Sequence, residues 1–334
     1  MWVAVICGLI FYKLFKRFLY DDDVLQVEGS DHSTSLFSVA DRLQKLYGGN
    51  VYVGLRIPDA DTSSPQTIHI VLSTKQELVV ILVKNYSGIL TISGDGSWVC
   101  EKPDIHKVER HSDPVAEAKK QASILESYLE QRGVVLPEGY ISFKVVFPPY
   151  RLSNFQNLAS YAKFVIPASS FPSEVITHEQ WIQPKPGPKS MFSSWVKSAF
   201  RGGKKEMQES IHQNLDFVLS TAPIWDRLEL KGNKYILGEF LEFKGKEEDV
   251  EALRHIRRSK VARILIQKTS MFGLAPSRLQ VLSTLRDYRS EAASALEWKE
   301  VTVRSNTEIS FQLENASKVR KFKLSSVCSM SLSA

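Results

Sequence analysis

Runs of apolar residues set the frame of this chain, and the most telling pair lies between Gln66 and Gly88. Ile68–Ser73 and Leu78–Val83 are β-branched and aliphatic, short, and separated by the polar turn Thr74–Glu77, so they read as two buried strands of a hairpin. Ahead of them, Val39, Leu43 and Leu46 recur at helical spacing, which predicts a helix over Ser38–Tyr47 stopped by Gly48-Gly49. Val51–Leu55 reads as a strand and Pro58–Pro65 as a polar loop. Beyond the hairpin, Pro114–Gln131 has the pattern of a second helix, stopped by Gly133, and Tyr140–Phe147 that of a closing strand. The order is α-β-β-β-α-β.

From Pro223 the texture changes to short alternating strands. Ile309, Phe311 and Leu313 share one face, and Val301 with Val303 and Phe322 with Leu324 repeat the pattern. One helix, Glu247–Arg257, interrupts them. This predicts a small antiparallel β-barrel or sandwich. Between the two regions, Tyr150–Ile182 shows no clear period and reads as a packed extension. Gln183–Lys189 is a proline-rich linker, and Ser190–Lys205 mixes Trp195 and Phe200 with cations. The organisation expected is therefore a segment at 1–20, a domain at 31–150, an extension and linker at 151–222, and a β module at 223–334.

The hairpin resembles the nuclease-related domain family, a branch of the restriction-endonuclease-like superfamily. Val80-Ile81-Leu82-Val83-Lys84-Asn85, followed by Gly88, is similar to that family's strand motif V-I-E-V-K-N-x-x-G. Gly96 and Trp98 resemble its G-x-W. Asp113-Pro114 opens a helix as its N-P-x-x-Q does, and Val39-Ala40-Asp41-Arg42-Leu43 with Leu46 is similar to its first helix. The resemblance covers roughly Ser35 to Phe147 and implies a restriction-endonuclease-like core of mixed α+β class. It also implies metal-dependent phosphodiester hydrolysis, with acids at three positions where this chain has Leu36, His69 and Leu82.

Those substitutions speak against that chemistry. Mg²⁺ polarises a phosphate and activates water only when hard oxygen ligands hold it. A leucine coordinates nothing and an imidazole is a softer donor, so no cofactor is expected here, with Mg²⁺ the ion if the domain is active. Lys84 then reads either as a solvated lysine at a strand end, the favoured reading, or as a phosphate contact. Glu117, three residues after Pro114, is the best surviving acid. It reads either as an exposed glutamate in a run with Lys119 and Lys120, again favoured, or as a relocated ligand. Glu77 and Asp95 fall in turns, where acids are common for conformational reasons.

Net charge is +6 and charged residues make up 24% of the chain, which favours anionic partners without choosing between nucleic acid and lipid. The basic residues of the β module (Arg254, Arg257, Arg258, Lys260, Arg263; Lys318, Arg320, Lys321, Lys323) read as outward strand positions or as one positive face. Cys7, Cys100 and Cys328 have no metal-ligand spacing, which points to a reducing compartment.

Trp2–Tyr12 is apolar throughout, and Met1–Tyr20 reads as a membrane anchor with Lys13, Lys16 and Arg17 reaching toward headgroups. An amphipathic helix docked on the protein's own surface is the alternative. The cations follow the apolar run, so the bulk of the chain is expected in the cytosol. The function expected is a membrane-tethered, non-catalytic module of binding or assembly. A nuclease using a relocated carboxylate and a lipid-surface scaffold are the alternatives.

Overall fold

The computed structural model describes residues 30–59, 65–86, 88–94, 96–102, 107–148, 163–164, 172–177, 181, 207–257, 260–269, 278–286, 298–314 and 316–333. They fall into two compact units, one ending at Ile224 and the other beginning at Trp225. Met1–Tyr20, the proline-rich stretch 183–189, the basic stretch 190–205 and Asp95 lie outside the described residues. Among the described residues, no helix is long and apolar enough to cross a membrane.

In the first unit, α1 (Ser30–Tyr47) precedes β1 (Asn50–Ile57), β2 (Gln66–Ser73) and β3 (Leu78–Val83). Leu36, Val39, Ala40 and Leu43 form the buried stripe of α1, at the spacing a 3.6-residue period requires. β1–β2–β3 is an antiparallel meander; every residue of β3 is buried, as befits a strand covered on both faces. After β3 the chain forms a separate three-stranded antiparallel ribbon, β4 (Ile89–Ile92), β5 (Trp98–Lys102) and β6 (Lys107–His111). It then enters α2 (Pro114–Gln131) and returns as β7 (Ile141–Val146), parallel to β3. Two short strands finish the sheets. β8 (Lys163–Phe164) lies parallel to β4, and β9 (Val175–Ile176) parallel to β7.

Local chemistry fixes the ends of these elements. The Asp113 side chain accepts a hydrogen bond from Val115 N–H at 2.9 Å, and Pro114 takes the first helical position, where its missing N–H costs nothing. Thr74 closes the β2–β3 turn by accepting from Glu77 N–H at 3.0 Å and donating to Glu77 O at 2.9 Å. Gly88 has φ +111°, and a Cβ there would meet Glu101 O at 2.2 Å, so the turn out of β3 admits only glycine.

The stretch 151–222, expected as extension and linker, contains part of the core. Met207 N–H donates to Lys75 O at 3.0 Å, and α3 (Glu209–Thr221) buries Leu215, Val218 and Leu219. They join the apolar cluster of Leu55, Ile68, Val71, Leu125 and Leu129. α1 also begins two turns earlier than the spacing of its apolar residues predicted.

The second unit is one eight-stranded antiparallel sheet curled into an open half-barrel. Its strands are β10 (Asp226–Leu230), β11 (Lys234–Lys244), β12 (Val261–Lys268), β13 (Arg278–Leu285), β14 (Lys299–Arg304), β15 (Glu308–Leu313), β16 (Val319–Lys323) and β17 (Val327–Leu332). Their spatial order is β14-β13-β12-β17-β10-β11-β15-β16. The concave face holds a continuous core that includes Leu228, Ile264, Val281, Ile309, Phe311 and Met330. The single helix expected at Glu247–Arg257 is two short ones, α4 (Glu247–Ala252) and α5 (Arg254–Arg257), which break at the fully buried Leu253.

Candidate functional site

The end of β3 brings the motif residues together. Leu82 and Lys84 are two residues apart, so they face the same side of the sheet. Leu82 is 0% exposed and packs among Leu90, Trp98, Cys100, Ala118, Val145 and Phe147. Trp98 stacks on Phe147 with ring centroids 5.7 Å apart, which closes this cluster. α2 crosses the same face and carries Glu117 in its first turn.

Lys84 Nζ lies 2.7 Å from Glu117 Oε2 and donates to Oε1 at 2.9 Å. The two side chains are only 20% and 35% exposed. Neither is therefore the solvated surface charge that was favoured from the sequence. The 33-residue separation between them gives no local clue to this pairing.

His69 replaces an expected acid on β2, and its position explains its role. The β2–β3 ladder ends at the Ile70–Ile81 pair; beyond it, Val83 N–H donates to Nδ1 of His69 at 3.2 Å. The imidazole thus serves as a backbone acceptor at the end of the ladder, with its proton on Nε2. Burial first, and then His32 and Lys84, hold His69 well below the usual histidine range. His32, from the added first turns of α1, meets the His69 ring edge-on at 5.0 Å. Burial, followed by the Lys84 charge, lowers the His32 pKa to about 4. His32 was missed in the sequence because Ser33, Thr34 and Ser35 are modest helix formers. The signal was its spacing: His32, Leu36, Val39 and Leu43 continue one helical face.

Asn85 ties the two segments, donating from Nδ2 to Asp31 O at 3.4 Å. Tyr86 stacks on His111 at 4.2 Å, with its ring also 5.6 Å from Phe147. Burial and then the Glu117 charge raise the Tyr86 pKa. Burial lowers that of His111, opposed by Glu109 and reinforced by Lys84 and Lys102. Leu36 is fully buried in the stripe of α1 and offers no donor. Glu77 is buried at the far end of the hairpin, where Ser142 Oγ donates to its carboxylate.

The hairpin, the lysine and the crossing helix lie within one stretch, and residues 32–148 match the family model of the nuclease-related domain. Residues 32–148 are a nuclease-related domain. No curated protein and no solved structure gives a significant match to the chain. The domain keeps the family's lysine directly after β3, the glycine beyond it and the capped helix beside it. Its donor set is different. One carboxylate reaches Lys84, and it is engaged by that lysine. His69 Nδ1 is taken by Val83, and Leu82 has no donor. Among the described residues, no three His, Cys, Asp or Glu side chains converge as metal ligands. Mg²⁺ binds through oxygen ligands and usually one or two carboxylates. The residues of this nuclease-related domain do not fit it.

Proposed function

We propose that the nuclease-related domain acts as a non-hydrolytic module of binding or assembly, tethered to a membrane by Met1–Tyr20. The observation that carries this reading is the Lys84–Glu117 ion pair beside a fully buried Leu82. In a hydrolytic site the lysine would serve a metal-bound nucleophile or the charge developing on phosphate. Here its charge is neutralised by the protein's own carboxylate. An apolar cluster fills the place where a second acid is expected from the family motif. The membrane tether is supported by the uninterrupted apolar run Trp2–Tyr12 and the cations Lys13, Lys16 and Arg17 that follow it.

One observation favours a second reading, a divalent-dependent nuclease: an acid and a lysine are adjacent at the end of β3. A cleavage assay on single- and double-stranded DNA and RNA, with Mg²⁺ or Mn²⁺, separates the two. The proposal expects no divalent-dependent cleavage by the wild-type chain. Cleavage that needs the divalent ion and disappears in both Lys84→Ala and Glu117→Ala would establish the nuclease instead.

A further inference from the structure

The sheet of the second unit ends on a strongly basic strand. β16 is last in the spatial order and pairs with β15 in an unbroken register, from Glu308–Lys323 to Gln312–Val319. An edge strand leaves alternate backbone N–H and C=O groups pointing away from its sheet, where another extended segment can pair with them. Edges are often closed to such pairing by a proline, a bulge or a covering element. β16 has neither proline nor bulge, and among the described residues no strand pairs with its outer side.

The basic residues of the β module do not form the single positive face considered from the sequence. Lys260 and Arg263 lie in and beside β12, five strands from β16 in the sheet order, and Arg254 and Arg257 lie in α5. Lys318, Arg320, Lys321 and Lys323 gather in one short run, with Val319 and Phe322 between them. Phe322 is buried in the core of the half-barrel, so Val319, Lys321 and Lys323 point to the opposite, outer face. All three are exposed there, Val319 by 44%. Lys323 sits opposite Glu308, but Lys321 sits opposite Ser310 and Val319 opposite Gln312. Among the described residues neither Lys318 nor Lys321 has an acid partner. Lysines at an edge disfavour an apolar strand, which would desolvate them, and a basic strand, which would repel them. An acidic strand meets neither cost. The charge therefore selects a partner rather than closing the edge.

We infer that β16 is a docking edge for an extended acidic segment of a partner protein, which adds to the sheet as a further strand and sets carboxylates against Lys318 and Lys321. An apolar residue of the same segment would cover Val319. A lipid headgroup would meet the lysines alone; the backbone groups of the edge and the exposed Val319 favour a peptide. The edge uses none of the residues around Lys84, so its test stands apart from the cleavage assay.

That test is fluorescence anisotropy of the full chain in neutral detergent with a short labelled peptide of alternating glutamate and valine. A lysine–valine peptide reverses the charge. A glutamate–proline peptide keeps the charge but lacks the N–H at alternate positions. The glutamate–valine peptide is expected to bind, with slowed amide exchange at Val319–Lys323, and the other two are expected not to. Lys321→Glu, checked for folding by circular dichroism, is expected to weaken binding roughly tenfold. Lys119→Glu on the exposed side of α2 is expected to leave it unchanged. A parallel arm adds phosphatidylserine to the micelles. The inference is overturned by no binding of the glutamate–valine peptide, by equal binding of the glutamate–proline peptide, or by Lys321→Glu binding like wild type. Equal weakening in Lys119→Glu also overturns it. Binding to the anionic micelles alone, lost in Lys321→Glu, overturns it in favour of a lipid surface.

Discussion

Lys84 Nζ sits 2.7 and 2.9 Å from the two carboxylate oxygens of Glu117, so the cation at the end of β3 and the acid at the start of α2 neutralise each other. Exposed pairs contribute 0–1 kcal/mol, and breaking buried ones costs 3–5 kcal/mol. With side chains 20% and 35% exposed, this pair belongs between those limits. Glu117→Ala is expected to cost about 1–2 kcal/mol by urea denaturation, and Glu117→Gln less, because an amide oxygen still accepts from the ammonium. In a double-mutant cycle of Lys84→Met with Glu117→Gln, the coupling is expected near 1 kcal/mol. A coupling indistinguishable from zero would show that the pair contributes nothing beyond proximity.

The histidine pair makes the fold sensitive to acid. His32 has its folded-state pKa lowered to about 4 from an ordinary 6.5, and His69 is likewise held well below the ordinary value. Between these values the unfolded chain binds protons that the folded chain refuses. Stability is therefore fully present above pH 6.5 and falls as the pH drops toward 4. Protonating His69 at Nδ1 would also break its bond from Val83 N–H. The loss attributable to His32 is on the order of 2–3 kcal/mol after allowance for its partial exposure. His32→Asn with His69→Gln is expected to flatten the stability profile between pH 4 and 6.5. The check is chemical denaturation at half-unit pH steps, and an unchanged slope in the double variant would contradict it.

Leu82 tests how completely the family site has become core. Leu82→Ala removes buried methyl groups from the cluster with Trp98 and Phe147 and is expected to cost roughly 2–4 kcal/mol. Leu82→Glu places a carboxylate in the same apolar surroundings, near a lysine that already has a partner. It is expected to be at least as destabilising as the alanine change at pH 8, and less so at pH 5, where the buried carboxyl is more readily neutral. Combining Leu82→Glu with Glu117→Gln frees Lys84 for the new acid and should recover part of the loss. Thermal unfolding of the three variants beside the wild type decides this. A Leu82→Glu chain as stable as wild type would mean that the pocket retains the polarity of a ligand site.

The strands of the hairpin were legible because their residues are β-branched and their register is set by burial. The cap of α2 was legible because Asp113-Pro114 is a start signal in itself. Leu82 and Lys84 could be placed on one face from spacing alone. Other features carried weaker signals. β4, β5 and β6 are four or five residues each, too short for alternation to stand out. The Ser-rich first turns of α1 hid His32. α3 follows a Pro-, Gly- and Lys-rich stretch that reads as linker, although Ile211, Leu215, Val218 and Leu219 hold helical spacing. The Lys84–Glu117 pair depends on how α2 crosses β3, which is tertiary information. The division of the basic residues between β12 and β16 depends on strand order and was equally hidden.

The most exacting test of the extended domain is Asp216, which fastens α3 to the meander. Its Oδ1 accepts from Ser73 Oγ at 2.9 Å and Tyr52 OH at 3.2 Å, and its Oδ2 from Asn50 Nδ2 at 2.8 Å. His212 Nε2 lies 3.6 Å away on the same helix. Burial, then the Asp216 charge and hydrogen bond, push the Tyr52 pKa up. Asp216→Ala leaves three donors without this acceptor, and Ser73 is fully buried, so a cost of roughly 2–4 kcal/mol is expected. Asp216→Asn has the same shape; with its amide oxygen accepting from Asn50, its N–H₂ can donate to the Ser73 and Tyr52 hydroxyl oxygens, so what is lost is the charge-assisted acceptor those two hydroxyls now share. It should fall between wild type and alanine. Amide hydrogen exchange at Leu215, Val218 and Leu219 would reveal α3 loosening before the rest of the unit. If Asp216→Ala unfolds within 0.5 kcal/mol of wild type and those amides keep their protection, apolar burial alone holds α3 in place.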